Sequence, residues 1–409
     1  MSMPSSVSSR AREGGDGSCA EATRFYQRYP VSTIFGLHFA AFAIVPALAS
    51  NNPKTTFILS IYLTVLGTCI FVELLFAPKV VGEFSSTGPT GSTSFVVLGI
   101  GAVATVLSAV GGTHNYAVQV GEASQAPWVS LVTPLNTWLL LGVCLILAAY
   151  SRGEVTRRLL YVTAGCACAL QFGLGLAGGL VGAAASFTMA VLLMLLLTGA
   201  VRPKQFAVLG LLLVVAWPTL QAQRDDLRAD VLGGANKLGG GSTPFERFWI
   251  DDQLASAERL RSSGSAISPP SWFTVVRTGT LPSAIDGPRP PIDTGSRMSV
   301  ALGGSRLNAT SATMPGNIWL FDGWVGLIAF YALLSFSFVR LLHRGSAWGL
   351  AVSAVLYLYF MSFSASYPDG LVRLLQDLVS FAAAALFIRV LQPPSIRRKR
   401  SRVTSRGKL

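Results

Sequence analysis

The sequence predicts an all-α polytopic membrane protein with about ten transmembrane helices, both ends inside the cell, and one large extracytoplasmic loop that contains short helices. Three observations carry this prediction. Of the 409 residues, 51% are hydrophobic and only 12% are charged, about half the charged fraction of a soluble domain. Apolar runs long enough to cross ~30 Å of hydrocarbon recur along the chain. The basic residues lie in short clusters beside those runs, as in membrane proteins of fixed orientation.

The apolar runs divide the chain into five regions. Residues 1–29 are rich in Ser, Gly and Arg and predict a disordered cytoplasmic tail, whereas 30–220 contain transmembrane helices 1–7. Residues 221–314 form the large loop, 315–392 contain helices 8–10, and 393–409 form a basic cytoplasmic tail. The ten runs are 31–50, 55–77, 94–112, 129–150, 159–178, 180–200, 205–220, 316–340, 347–364 and 371–391.

The orientation follows from the basic residues. With ten crossings every basic cluster lies on one side, which the positive-inside rule assigns to the cytoplasm, and nine or eleven crossings break this agreement. The net charge of +13 does not indicate a nucleic-acid partner, because the excess sits in these clusters and in the C-terminal tail and not on one phosphate-binding face.

The large loop has structural signals of its own. The TPFE sequence from Thr243 to Glu246 fits a capping box with Pro at the first helical position. It predicts a helix from Thr243 to Arg261 that stops at the Ser-Ser-Gly sequence 262–264. The six prolines between 269 and 291 predict extended, poorly helical chain in that segment.

A glycine motif invites a nucleotide-binding interpretation that its context excludes. Gly173, Gly175 and Gly178 match the dinucleotide fingerprint, but they lie inside an apolar run, with no strand before them. Their spacing instead favours close helix packing or a tight outer turn.

Metal chemistry has little support, and no cofactor is predicted. His38, His114 and His343 are scattered over different segments. Asp251 and Asp252 are conceivable divalent-ion ligands, but two acids near arginines are more often solvated loop residues.

The arginines of the loop are more informative. Residues 221–314 contain nine arginines and one lysine, and Arg is suited to bidentate contact with phosphate or carboxylate oxygens. Nine acids in the same loop leave open the alternative that the arginines form salt bridges. The candidate ligands for an anionic group are Arg224, Arg228, Arg259, Arg277, Arg297 and Arg306 of the loop, and Arg373 of the last helix.

Three acids lie within the predicted membrane helices, where a charge is costly and marks a functional candidate. Asp322 and Asp377 are each about seven residues from an outer helix end, ~10 Å below the outer surface. We expect both to line the floor of one cavity beneath the loop. The alternative is that they are interfacial acids paired with Arg373. Glu73 lies near the inner side, where Lys79 is its expected partner.

The end of the loop resembles a known family. Residues 295–297 (GSR) and 304–308 (GSRLN) precede the small Ser/Thr run 310–315 (TSATMP), which leads into 316–327 (GNIWLFDGWVGL). This sequence, together with several crossings and a large late loop, is similar to bacterial O-antigen or oligosaccharide repeat-unit polymerases (the Wzy type).

The resemblance implies a metal-independent glycosyltransferase of the bacterial plasma (inner) membrane. Its substrates would be polyprenyl-pyrophosphate-linked oligosaccharides, polymerised on the outer face into O-antigen, capsule or exopolysaccharide. It suggests a flippase and a chain-length regulator as further partners, besides the lipid bilayer. Asp322 and Asp377 would then be the catalytic residues, a carboxylate acting as base for the acceptor hydroxyl. The seven candidate arginines would bind the pyrophosphate or glycan and neutralise the leaving diphosphate.

Three other functions remain open. A ligase that moves a glycan from the same lipid carrier to another acceptor relies on a loop histidine in the family that it resembles, and residues 221–314 contain none. A secondary transporter predicts broken helices and charges at mid-membrane. A non-enzymatic membrane scaffold is the third.

Overall fold

The computed structural model describes residues 25–76, 88–119, 123–231, 250–264, 267–281, 294–303, 312–361 and 367–392. Throughout those ranges the regular structure is helical, with no β-strand. Eight helices are long and apolar enough to cross a membrane, and two more apolar helices are shorter. Each of the ten predicted apolar runs coincides with one of these helices.

Seven apolar helices precede the large loop. They are α1 (Pro30–Ala49), α2 (Thr55–Phe76), α3 (Gly91–Val110), α4 (Val129–Ser151), α5 (Arg157–Ala177), α6 (Val181–Leu197) and α7 (Pro203–Val231).

Three short helices belong to the loop, and three apolar helices follow. They are α8 (Asp251–Ser262), α9 (Trp272–Thr280), α10 (Thr294–Ala301), α11 (Thr313–His343), α12 (Ala347–Met361) and α13 (Asp369–Leu391). Of the ten apolar helices, α6 and α12 are the two shorter ones.

Helix α7 is longer than the sequence predicts. The predicted run ends at about residue 220, near Pro218, but the helix continues through this proline to Val231. Proline is tolerated within membrane helices. The residues beyond it include several strong helix formers, Ala, Gln, Arg and Leu. The seventh helix therefore extends into the region predicted as loop.

Helix α4 lies at the centre of the bundle, and glycines allow it to approach α3 closely. A β-carbon at Gly101 of α3 would lie 2.2 Å from the backbone nitrogen of Leu139. A β-carbon at Gly142 of α4 would lie 2.6 Å from the Cα of Leu98. This reciprocal contact is the small-residue packing by which membrane helices associate.

Glu73 of α2 is completely buried and binds the first turn of α1. Its carboxylate accepts hydrogen bonds from the backbone N–H groups of Val31 (2.7 Å) and Ser32 (3.0 Å), and from the Ser32 hydroxyl. The first N–H groups of a helix have no partner within the helix, so a carboxylate there is favoured. Lys79, the partner that the sequence predicts, lies outside the described residues.

The two ends of α5 show which connections share a side of the bundle. At the start of α5, the Arg157 guanidinium donates to the carbonyl of Ala200, after α6 (3.3 Å). Beyond the other end, the Tyr116 N–H donates to the Gly178 carbonyl (2.9 Å). A β-carbon at Gly178 would lie 1.5 Å from the His114 carbonyl oxygen. Gly178 thus lies in a tight turn at the end of α5, one of the two predicted alternatives, whereas a β-carbon at Gly173 would meet nothing within 4 Å.

Candidate functional site

The site begins with α8, the loop helix that lies over the bundle. Ile250 has φ −106° and ψ 3° and caps a helix that starts at Asp251. A continuous helix from Thr243 to Arg261 is therefore wrong, and 243–249 lie outside the described residues. Asp251 and Asp252 occupy the first turn, where negative charge favours a helix start. The predicted end is confirmed, because α8 stops at Ser262.

Two contacts join α8 to the first helical hairpin. The Ile250 N–H donates to the carbonyl of Phe42 (2.8 Å), which lies in a π-helical turn of α1. Such turns disturb the regular backbone hydrogen bonding of a helix. Lys54 Nζ lies 3.2 Å from a carboxylate oxygen of Glu258. Residues between α1 and α2 thus hold α8 in place.

Asn52 makes the buried part of this junction. Its side-chain amide donates to Asp251 (3.0 Å) and to Asp252 (3.2 Å). Asp251 is 4% exposed, so it is not the solvated loop acid that the sequence predicts. It serves to dock α8, and among the described residues no group of three or more His, Cys, Asp and Glu side chains is arranged to hold a metal ion.

The other end of α8 meets an interruption in α11. Gly323 has φ 69° and ψ −162°, which breaks the helical backbone. Arg261 Nη1 donates to the carbonyl of Trp319 (3.1 Å), in the turn before the break. Its guanidinium carbon also lies 4.6 Å from the centre of the Trp319 ring. Arg261 therefore binds both the backbone and the ring of the helix segment that ends at Gly323.

Asp322 is the residue immediately before this break. Its side chain is exposed on the protein surface, and it has no ion-pair partner among the residues that the structure describes. Burial, and then the nearby Asp322 carboxylate, raise the pKa of the Tyr367 hydroxyl to about 12. Asp322 therefore lies close enough to Tyr367, beside the helix break, to act on it electrostatically.

Asn317 fixes Tyr367 in that region. The Asn317 side chain accepts a hydrogen bond from the Ala312 N–H (3.1 Å) and donates to the Tyr367 carbonyl (3.4 Å). The rings of Phe321 and Tyr367 have centroids 6.2 Å apart. The start of α11 and the segment before α13 are thus held together next to Asp322.

Asp377, the other predicted catalytic residue, has a different environment. It is 6% exposed and accepts a hydrogen bond from the hydroxyl of Tyr359 (2.8 Å). Arg373 lies one turn earlier on α13, is exposed, and is close enough to act electrostatically on Asp377. Of the two predicted catalytic carboxylates, Asp322 is open and Asp377 is enclosed.

Two of the predicted phosphate-binding arginines contact groups on residues close to them in the sequence. The Arg224 guanidinium is buried and pairs with the neighbouring Asp225 at 2.6 Å, as the salt-bridge alternative expects. Arg259 is exposed and donates to the Asp252 carbonyl of its own helix (3.3 Å).

The other predicted arginines are spread over the loop. Arg297 on α10 is half-buried and donates to the Ser268 carbonyl (3.4 Å). Arg277 is exposed on α9. The side chain of Arg228, and Arg306 as a whole, lie outside the described residues. Arg261, which contacts the turn before the helix break, is not among the predicted ligands, because nothing in the local sequence shows that it, and not Arg259, reaches α11.

The fold defines a class: the described part of the chain is all-helical, with eight helices long and apolar enough to cross a membrane, as in a polytopic membrane protein. Comparison with known proteins goes no further, since no protein-family model, no curated protein and no solved structure matches the chain.

Proposed function

We propose that the protein is a metal-independent glycosyltransferase of the bacterial plasma membrane that polymerises polyprenyl-pyrophosphate-linked oligosaccharides on its outer face. The proposal starts from the resemblance of the sequence around 295–327. The structural observation that carries it is the exposed Asp322 carboxylate at a helix break, where the preceding turn binds the Arg261 guanidinium of the loop helix through the Trp319 carbonyl.

The depth of the break supports a site at the membrane surface. The segment from Trp324 to His343 rises about 30 Å at 1.5 Å per residue, which is a full hydrocarbon thickness. Residues 313–319 before the break are buried in protein, whereas Trp324, Val325 and Ile328 after it are exposed apolar side chains. We therefore place Asp322 at the outer surface, shallower than the ~10 Å depth that the sequence predicts.

This position suits transfer from a lipid diphosphate. The acceptor hydroxyl attacks the anomeric carbon of the donor glycan, and Asp322 takes its proton. The bond from that carbon to the diphosphate oxygen breaks, and the polyprenyl diphosphate leaves with the electron pair. Arginine guanidinium groups of the loop, among them Arg261 next to the break, stabilise the charge on the leaving group.

The arrangement of the helix ends supports the proposed topology of ten crossings with both termini inside. Arg157 and Ala200 meet at one end of α5, and Tyr116 and Gly178 meet at the other. These pairs belong to the predicted inner and outer sides, respectively. The contacts of Asn52 with α8 likewise join two segments that are both predicted outside.

A secondary transporter is the second candidate, because Gly323 interrupts a membrane helix as transporter helices are often interrupted. Transporter sites lie near the bilayer midplane. The full-length apolar segment after Gly323 argues for a break at the outer surface, which favours the glycosyltransferase.

The test measures glycan length in cells. Deletion of the gene should leave single lipid-linked repeat units in place of a ladder of polymers on a gel. Restoring the gene with Asp322→Asn should not restore the ladder, although the protein reaches the membrane in normal amount, because the amide keeps the shape and loses the proton-accepting charge.

Asp226→Asn is the matched control, since Asp226 is an exposed acid on α7, away from the helix break. It should restore the ladder fully. An unchanged glycan pattern after gene deletion would disprove the function, and a full ladder with Asp322→Asn would remove Asp322 as the base. Loss of ligated glycan with retained lipid-linked polymer would indicate the ligase instead.

A further inference from the structure

We propose that α9 descends into the outer leaflet of the membrane beside α13, and that lipid acyl chains cover its exposed face. The sequence predicts extended outer chain between prolines 269 and 291, so the helix itself is a correction. Ser271 explains it locally, because its hydroxyl accepts the Thr274 N–H (3.2 Å) and caps the first turn.

The contacts of α9 place it at membrane depth. A β-carbon at Gly279 would lie 2.7 Å from the Leu375 Cβ and 3.2 Å from the Val372 carbonyl oxygen. The Gln376 side-chain amide donates to the Thr278 carbonyl (3.4 Å). Leu375 is six residues beyond the start of the membrane helix α13, about 9 Å along its axis.

The beginning of α9 lies at a shallower depth, near the start of α13. The Trp272 ring has its centroid 6.4 Å from that of Tyr367, which precedes α13. The helix therefore starts near the outer end of α13 and runs inwards alongside it, with Gly279 at the deeper end.

The outward face of α9 is apolar. Trp272 is 63% exposed, Phe273 74% and Val276 47%, while Val275 and Gly279 on the opposite face are buried. Val379 of α13 continues this exposed apolar surface further along the membrane helix, at 47% exposure. A surface of this kind on a membrane-embedded element is solvated by hydrocarbon.

Two polar features fit the same orientation. Trp272 lies at the shallow end, where aromatic residues are enriched at the membrane interface. Arg277 is the charged residue of α9, in its last turn. Side chains of a helix point towards its N-terminus, which is here the outer end. The Arg277 stem can therefore follow the helix outwards to the lipid headgroups.

Spin labels test the proposal in the full-length protein. The five native cysteines are replaced by serine, and single cysteines are introduced as Phe273→Cys, Val276→Cys or Ser262→Cys. Each variant is labelled with a nitroxide and reconstituted in phosphatidylcholine vesicles. Ser262 is exposed at the end of α8 and reports on water. Gel filtration before reconstitution shows which variants keep the size of the parent protein.

Labels at 273 and 276 should collide more often with oxygen, which enters hydrocarbon, than with a water-soluble nickel chelate, and the label at 262 should do the reverse. A charged maleimide should react with the thiol of Phe273→Cys on the order of tenfold more slowly than with that of Ser262→Cys, because apolar surroundings disfavour the thiolate.

Preference for the nickel chelate at 273 and 276 would show a water-exposed face and overturn the proposal. Exclusion of both colliders would show a face covered by protein and overturn it equally. The result is independent of the glycosyltransferase activity.

Discussion

Gly326 lies against the side chain of Asp322. A β-carbon at residue 326 would lie 2.2 Å from the Asp322 Cβ and 3.3 Å from its carboxyl carbon. In a regular helix, side chains four residues apart are about 5–6 Å from each other at their β-carbons. The closer approach arises because Gly323 turns the chain out of the helix between them. The position of Asp322 therefore depends on the absence of a side chain at 326.

Gly326→Ala should abolish polymer formation without removing the protein from the membrane. The added methyl group must displace Asp322, and a displacement of about 1 Å can reduce a rate about 100-fold. Gly165→Ala on α5 is the control, because a β-carbon there meets nothing within 4 Å. Glycan length on gels and protein amount in the membrane fraction measure both variants. Normal polymer with Gly326→Ala would mean that the position of Asp322 is unimportant.

The sequence identifies Asp322 as a functional candidate, but it does not predict the contact of Asp322 with Gly326. An acid in an apolar helix can be recognised as a functional candidate from the sequence, because a charge in the membrane is costly. The break at Gly323 cannot be recognised in this way, because the sequence continues in the same apolar pattern on both sides of it. The depth of ~10 Å expected for Asp322 assumes a regular helix, so the shallower position that we propose could not be predicted from the sequence. Tertiary contacts of α8 at the break could not be inferred from local spacing.

Arg261→Lys should impair the protein more than Arg259→Lys. Both arginines lie in the last turn of α8, but Arg261 binds the Trp319 carbonyl and ring, whereas Arg259 binds the Asp252 carbonyl of its own helix. Lysine keeps the charge and loses the planar fork that makes both contacts at once. We expect shorter glycan with Arg261→Lys and wild-type length with Arg259→Lys. Equal glycan lengths for the two variants would contradict a special role of Arg261.

The partners of Asp251, Asp252 and Glu73, like the break at Gly323, could not be predicted from the local sequence. Asp251 and Asp252 resemble ordinary solvated loop acids, and only the approach of Asn52 from the first hairpin makes them a docking element. The sequence predicts Glu73 near the inner side with a nearby lysine, and the structure gives it backbone partners at the start of α1. Helix existence follows from apolar runs, but the partners of buried charges depend on which helices pack together.

Asn52→Ala should loosen α8 more than Lys54→Ala does. Removal of the Asn52 amide leaves the buried Asp251 carboxylate without that donor, which costs about 1–3 kcal/mol. The Lys54–Glu258 pair joins side chains that are 37% and 31% exposed, and a pair of this kind contributes about 0–1 kcal/mol. Thermal unfolding of the purified variants in one detergent gives the comparison. A lower midpoint for Lys54→Ala than for Asn52→Ala would contradict the assignment of Asn52 as the main contact.

The last prediction concerns the topology. Every proposal about the outer site requires α8 to be outside and the C-terminal tail to be inside. The basic clusters of the sequence assign these sides. Independently, Asn52 and α8 meet at one end of the bundle, and the Gln392 side chain, at the end of α13, donates to the Thr93 hydroxyl (3.2 Å) near the start of α3. In a background without the native cysteines, Ser263→Cys should react with a membrane-impermeant thiol reagent in intact cells. Ser401→Cys should react only after the membrane is permeabilised. Labelling of the Ser401→Cys variant but not of the Ser263→Cys variant in intact cells would invert the orientation and exclude an outer-face reaction at Asp322.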